Sequence, residues 1–317
     1  MTRRIEEMTF AEWSKKVAFD IIGKKIMNFN DDHVILVCGD EGKRKSTFTT
    51  ATYCEVCRLL GRNPQKEFLC YSWEEYRTLN LFALKSAFET LSDKTQAMEL
   101  LGEYGIEDIN GENYSDLWKK KYNVKKGDIL VFDEAGTEIN CRDSQSANNK
   151  DFNSLMIKNR FLGLVHFLNV PKPMSLDNYP REQRARGMIW CTASYNDSIT
   201  DRHSRIYFYT KDTYSEIFCQ RRYWNLFSNQ DKLIKHCPPD FEITKLGDMR
   251  DYIPKDVKDY YDSRKWAYNI SVLLKDLKNS KKMFDEERLV KPGESKQDWY
   301  NRTKQDPRTY SALKIWK

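Results

Sequence analysis

A chain of 317 residues, 40% hydrophobic and 13% aromatic, carries enough apolar material for one large core, or a core with a small appendage. It shows no tandem repeat and no long low-complexity tract. Lys and Arg number 53 against 47 Asp and Glu, so the net charge of +6 is small beside the gross charge: a mildly basic surface, compatible with nucleic acid but not diagnostic of it. Residues 1–16 lack an apolar stretch of signal-peptide length and nothing later approaches bilayer length, so no membrane segment and a cytoplasmic, soluble protein are expected. Eight cysteines, several inside apolar runs such as those around Cys38, Cys70 and Cys191, suit a reducing compartment.

In chain order, Phe10 to Met27 reads as an amphipathic helix, closed by a polar turn from Asn28 to Asp32. Val34 to Cys38 is an apolar strand. It runs into Gly39-Asp40-Glu41-Gly42-Lys43-Arg44-Lys45-Ser46-Thr47, and from Ser46 to Leu60 good helix formers continue until Gly61 and Asn63-Pro64 stop them. Strand, glycine-containing loop and helix is the order of a phosphate-binding loop, G-x-x-x-x-G-K-[ST]. Gly39, Lys45 and Ser46 hold their places, while Arg44 stands where the second glycine belongs.

The chemistry of such a loop is general. Backbone N–H groups before a helix N-terminus point at an anion, and the helix dipole adds favourable potential. Lys45 would reach the β- and γ-phosphates, and the Ser46 hydroxyl would ligate magnesium. Arg44 opposes this if its position demands positive φ, where a side chain costs roughly one to a few kcal/mol. Its guanidinium could turn outward or onto a phosphate.

Further on, Phe68 to Ser72 reads as a short strand, Trp73 to Leu101 as a long helix, and residues 102–127 as a polar insertion. Ile129 to Phe132 is a buried strand pattern ending in Asp133-Glu134. Asp133 would hold the magnesium shell, and Glu134 would orient and deprotonate an attacking water. Asp151 to Phe161 reads as a helix, with strands at Leu164 to Leu168, Met188 to Thr192 and Ile206 to Thr210. This alternation predicts an α/β domain with a mainly parallel sheet. Pro238 to Pro254 reads as a loop-rich boundary, Lys255 to Asn279 as a helix, and Ser280 to Lys317 as a charged, tryptophan-containing tail. The expected division is an N-terminal helical segment (1–30), a core (31–237) and a helical C-terminal extension (238–317).

Two features have ordinary explanations beside functional ones. Cys54-Glu55-Val56-Cys57 spells C-x-x-C but lacks a second pair at zinc spacing, and reads as helix packing rather than metal or redox chemistry. Basic and aromatic residues gather in Arg181 to Arg186, in Arg221-Arg222-Tyr223-Trp224 and in Lys291 to Lys317. Each is a solvated face or a sequence-independent DNA contact, and Trp299-Tyr300 and Trp316 could equally be anchors that dock the tail.

The loop from Gly39 to Thr47, the run Leu130-Val131-Phe132-Asp133-Glu134-Ala135, an arginine near Arg160 and the run His166 to Asp177 together resemble the FtsK/HerA-like branch of P-loop motor ATPases, of the kind encoded by viruses and plasmids. The resemblance covers roughly residues 30 to 225. It implies a three-layer RecA-like P-loop NTPase core, ATP and Mg2+ as cofactors, and homo-oligomeric ring assembly, with a hexamer as the candidate form. It also implies ATP-driven movement or packaging of DNA, and a host-intracellular location if the chain is virus- or plasmid-encoded. Glu134 follows Asp133 as the catalytic glutamate follows the Walker B aspartate. Asn169, before Pro171, takes the position of a polar sensor that is commonly glutamine. An arginine finger from a neighbouring subunit has Arg160, Arg202 and Arg205 as candidates.

Two functions follow from different classes: a magnesium-dependent ATPase, or a nucleotide-binding switch or scaffold in which Arg44 prevents turnover. A small-substrate P-loop kinase is a third reading, for which no acceptor-binding or lid motif is recognisable.

Overall fold

The computed structural model describes residues 5–29, 32–40, 42–90, 122–139, 141, 146–195, 202–219, 230–283, 295, 297–298 and 301. Eight strands form one sheet: β1 (Glu6–Thr9), β2 (His33–Cys38), β3 (Leu69–Cys70), β4 (Ile129–Phe132), β5 (Val165–Val170), β6 (Ala185–Tyr195), β7 (Arg202–Thr210) and β8 (Phe241–Thr244). Their order across the sheet is β1-β8-β7-β6-β2-β5-β4-β3. All pairings are parallel except those of β7, which runs against both β6 and β8. β2, β4 and β5 are buried along their whole length, and their sequences are correspondingly apolar apart from His33 in β2 and His166 and Asn169 in β5.

The helices that matter for the site are α1 (Phe10–Lys15, continued by a π-helical stretch Lys16–Ile26), α2 (Lys45–Leu59), α3 (Trp73–Thr90), α4 (Ala135–Glu138), α5 (Ala147–Lys158), α6 (Lys211–Cys219), α7 (Gln230–His236) and α8 (Lys255–Met283). α1 contacts α2, whereas α3 contacts α5 and α6 contacts β6 and β7. Two groups of helices around a mostly parallel sheet are compatible with a three-layer α/β fold.

α1 begins with a capping box, in which the Glu12 amide donates to Thr9 Oγ1 at 3.2 Å and the Thr9 amide to Glu12 Oε2 at 2.8 Å. Its buried face is aromatic. Trp13 stacks 6.3 Å from Phe48 of α2 and 4.9 Å from Phe208 of β7, and its indole N–H donates to Thr52 Oγ1 at 3.3 Å. Phe10 lies edge-on 5.9 Å from Phe48. Aromatic pairs of this kind contribute about 0.5–1.5 kcal/mol each beyond area burial. Residues from the start of the chain thus fix the helix that follows the glycine loop.

Several expectations are corrected. Residues Pro238 to Pro254 are not only loop: β8 joins the sheet there, and β1 precedes the expected first helix. Both strands are short and half-exposed, so neither writes an apolar run. The chain divides into two compact units, 1–261 and 262–317. The described part of the second unit is the remainder of α8 to Met283 and a short stretch in which Ser295 Oγ donates to Asp298 at 2.6 Å. Arg181 and Arg184 are buried, not part of a solvent-facing basic patch. Arg184 is ion-paired with buried Asp32, and Arg181 donates to Leu176 O at 3.1 Å and Glu182 at 2.6 Å. Arg221 to Trp224 and nearly all of the tail lie outside the described residues, as does 91–121, which takes in the end of the expected long helix and most of the 102–127 insertion. Among the described residues no helix is long and apolar enough to cross a membrane.

Candidate functional site

The C-terminal ends of β2, β4 and β5 meet in one place, the usual position of a ligand in an open α/β sheet. Register does much of the placing. Phe132 pairs with Leu168 and Val37 with Asn169, so Asp133, the next residue after β4, stands level with Asn169 on the intervening strand β5. The Asp133 amide donates to Cys70 O at 2.8 Å, which extends the ladder towards β3. Behind β4, Tyr76 stacks on Phe132 with centroids 4.8 Å apart and fixes the strand end that carries the carboxylates.

The loop after β2 is shaped by three residues at positive φ. Gly39 has φ +145° and packs so closely on β6 that an added Cβ would stand 2.4 Å from Cys191 O, while its amide donates to Pro171 O at 3.1 Å. Gly42 has φ +75° and nothing within 4 Å of where a Cβ would be. Arg44 has φ 62° and ψ 22°, the left-handed region, and serves as N-cap of α2 without a side-chain capping bond. The missing glycine therefore leaves its conformation behind. Arg44 adopts it with an exposed side chain.

Lys45 folds back over the loop. Its Nζ donates to Gly39 O and, at 3.0 Å, to Asp40 O. With no acidic residue in the first turn and no cap, the N-terminus of α2 keeps a net positive potential beside this ammonium. Burial pushes the Cys191 thiol up to about 12, opposed by the nearby Lys45 charge, and burial raises Cys38 as well, so both thiols beside the loop stay protonated.

Ser46 Oγ donates to Asp133 Oδ1 at 2.7 Å, and Asn169 Nδ2 donates to the same oxygen at 2.6 Å. Asn169 Nδ2 also reaches Thr49 Oγ1 at 3.1 Å, one turn along α2 from Ser46. Asp133 and Asn169 are buried, and Asn169 Oδ1 has no hydrogen-bond partner among the described residues. An orphaned amide oxygen beside a carboxylate and a serine hydroxyl is a set of hard oxygen donors suited to magnesium, which takes one or two carboxylates and completes its shell with water and phosphate. Glu134 is half-buried at φ 59°, N-caps α4 and accepts from Thr137 Oγ1 at 3.4 Å. Of the three non-glycine residues at positive φ among those described, Arg44 and Glu134 both belong to this site. Strain of this kind gathers where a structure serves a ligand rather than its own stability.

Of the residues expected from the sequence, Gly39, Asp40, Gly42, Lys43, Arg44, Lys45, Ser46 and Thr47 form the loop and the start of α2, with Asp133, Glu134 and Asn169 at the neighbouring strand ends. Glu41 lies outside the described residues. Arg160 is exposed in the turn before β5, at the opposite end of that strand from Asn169, so it does not join the site within one chain. β7 is antiparallel, which puts Arg202 and Arg205 at the loop end of the sheet instead, where Arg205 pairs with Thr192. Thr49 and Tyr261, which donates to Asp133 Oδ2 at 3.5 Å, were not singled out from the sequence. Thr49 could have been found from helical spacing, since it lies three residues beyond Ser46.

Cys54 and Cys57 are buried in α2 with thiols raised to about 12 by burial, which makes them packing residues. Among the described residues no group of three or more His, Cys, Asp and Glu side chains could hold a metal. Comparison with known protein families and with curated proteins gave no match to this chain.

Proposed function

We propose that this chain binds ATP with magnesium at the loop from Gly39 to Thr47 and hydrolyses it. The observation that carries this is the convergence of Ser46 and Asn169 on one oxygen of Asp133, from three separate segments. Lys45 and the N-terminal amides of α2 would hold the phosphates, exchanging the lysine's bonds to Gly39 and Asp40 for charge-assisted ones. Ser46 and Asp133 would hold the cation, whose contribution when bound is to neutralise charge on the phosphate oxygens. Glu134 would accept a proton from the attacking water, and Asn169 would orient Asp133 and sense the γ-phosphate. A RecA-like core, ring assembly and movement of DNA rest on the family resemblance alone. Burial of Arg181 and Arg184 removes one of the basic clusters that favoured DNA.

The test is ATP hydrolysis by the native chain and by Lys45→Ala, Glu134→Gln and Arg44→Gly. Turnover in the native chain that is lost in the first two variants supports the reading; absence of turnover in both the native chain and Arg44→Gly removes the enzyme. A switch without turnover is the second reading, favoured by the closure of Lys45 onto its own loop. Tight binding of a non-hydrolysable ATP analogue without hydrolysis would identify it.

A further inference from the structure

A second cavity lies at the far end of α2 from the glycine loop, and its walls are built by short-range hydrogen bonds. α2 spans 15 residues, about 22 Å. It closes at Gly61, at φ +66°, whose amide donates to Arg58 O at 3.1 Å while the Arg62 amide donates to Cys57 O at 2.8 Å. The chain is held again at Gln65, whose amide donates to Tyr53 Oη at 2.6 Å and whose carbonyl lies 2.9 Å from the same hydroxyl. Opposite, the turn 125–128 is fixed by the Asp128 amide on Lys125 O at 3.0 Å and the Gly127 amide on Gly163 O at 2.8 Å. Gly127, at φ +82°, packs so closely on Ile22 that an added Cβ would stand 3.0 Å from its Cγ2. These walls enclose about 480 Å3, inside the range of about 300–1,000 Å3 usual for small-molecule sites.

Val56, Leu60, Phe68 and Ile129 give the cavity an apolar lining, and Arg62, Lys125 and Asp128 are its charged members. Asp128 Oδ1 accepts from Arg62 Nη1 at 2.9 Å and Oδ2 from the Lys125 amide at 2.7 Å. The arginine side chain is 39% exposed and the carboxylate 13%, so the cation reaches the mouth while the acid stays within. Arg62 Nη1 also reaches Gly127 O at 3.4 Å, which steers the Nε–Nη2 edge of the guanidinium as a fork for an anion. Two cations against one carboxylate leave the lining with one positive charge in excess.

We propose that this cavity is a binding site for a small organic monoanion with an apolar body, whose charge meets Arg62 and Lys125 and whose body lies against Val56, Leu60 and Phe68. The apolar lining gives inorganic phosphate nothing to bury against, and Asp128 repels a second negative charge. The site is independent of the nucleotide reading, since Asp128 precedes β4 where Asp133 follows it, and Leu60 follows α2 where Lys45 begins it.

The test is fluorescence titration of the full chain with 8-anilinonaphthalene-1-sulfonate, an aromatic monoanion, beside its uncharged relative N-phenyl-1-naphthylamine. One sulfonate per chain is expected. Arg62→Gln should weaken the sulfonate about tenfold, the loss of a hydrogen bond to a charged group, and the uncharged dye by less than about twofold. Leu60→Trp, which fills the cavity, should weaken both. Lys125→Ala, at an exposed position, should weaken the sulfonate alone by about two- to fivefold, and it decides if either of the other variants does not fold. No saturable binding by the native chain overturns the proposal, as does undiminished binding in Leu60→Trp, which would put the dye elsewhere. Equal losses of the two dyes in Arg62→Gln, or unchanged sulfonate affinity in Lys125→Ala, overturn the selection of an anion. Displacement of the sulfonate by an excess of a non-hydrolysable ATP analogue would put it at the glycine loop and overturn the second site while supporting the first.

Discussion

Ser46 Oγ and Asp133 Oδ1 lie 2.7 Å apart although 87 residues separate them in the chain. The contact spans β5, since the strand before the loop and the strand before Asp133 are not neighbours, and Asn169 on β5 closes the gap between them. Ser46→Ala should therefore weaken cation-dependent binding of an ATP analogue at least tenfold while leaving binding in chelator nearly unchanged. Calorimetric titration with and without Mg2+ checks this; an equal loss in both conditions would assign Ser46 to the phosphates instead.

Arg44 holds a left-handed conformation that glycine adopts freely. Arg44→Gly should raise stability by up to about 1 kcal/mol, because relief of the strain exceeds the added freedom of the unfolded chain. Arg44→Val should lower it by more than that, since a β-branched residue fits the region worst. Thermal unfolding of the three proteins reads both signs, and a native chain more stable than Arg44→Gly would mean the side chain contributes something that outweighs the strain.

Gly39 and Gly42 are both at positive φ but differ in surroundings. Gly39→Ala meets the Cys191 carbonyl at 2.4 Å, so the loop must separate from β6, and we expect loss of analogue binding together with a fall in melting temperature. Gly42→Ala meets nothing within 4 Å and should cost only the backbone strain, about 1–2 kcal/mol. Similar effects at the two positions would show that the close approach of Gly39 to β6 does not constrain the loop.

His166 sits inside β5, fully buried, with Nδ1 2.7 Å from the Tyr76 hydroxyl. Burial, reinforced by the Arg184 charge, lowers its pKa from 6.5 to about 3. Burial also raises the Tyr76 pKa, so the phenol keeps its proton and donates to the imidazole. Between those two pH values the unfolded chain binds a proton that the native one refuses. Stability should be complete above about pH 6.5 and fall as pH drops towards 3, with a slope of up to about 1.4 kcal/mol per pH unit. His166→Gln should flatten that slope in denaturant unfolding measured at several pH values; an unchanged slope would place the acid sensitivity elsewhere.

The parts legible in the sequence were those with local signatures. β2, β4 and β5 are buried on both faces and so write largely apolar runs, and Gly39 and Gly42 mark the turn between β2 and α2. β1 and β8 were not legible, because four half-exposed residues carry no periodicity until each finds its partner across the chain. The same holds for Arg181 and Arg184. Two arginines in a basic run look solvated until Asp32, Glu182 and a carbonyl from Leu176 surround them. The contacts of Tyr261 with Asp133 and Tyr71 were hidden for a related reason: they are products of tertiary packing, and nothing in the residues around it announces them.

The pairing of Glu6 with Phe241 sets a schedule for synthesis. Strand β1 is synthesised well before β8, the strand it pairs with among the described residues. Until then Phe10 and Trp13 can pack on α2, but the strand just before them has an unsatisfied backbone. Contacts so distant in sequence form slowly and leave exposed edges in the meantime. A chain shortened before Phe241 would lose β8, leave β1 without its ladder and open the edge of β7, so the glycine loop would lose the support that α1 lends it from the far end of the sheet.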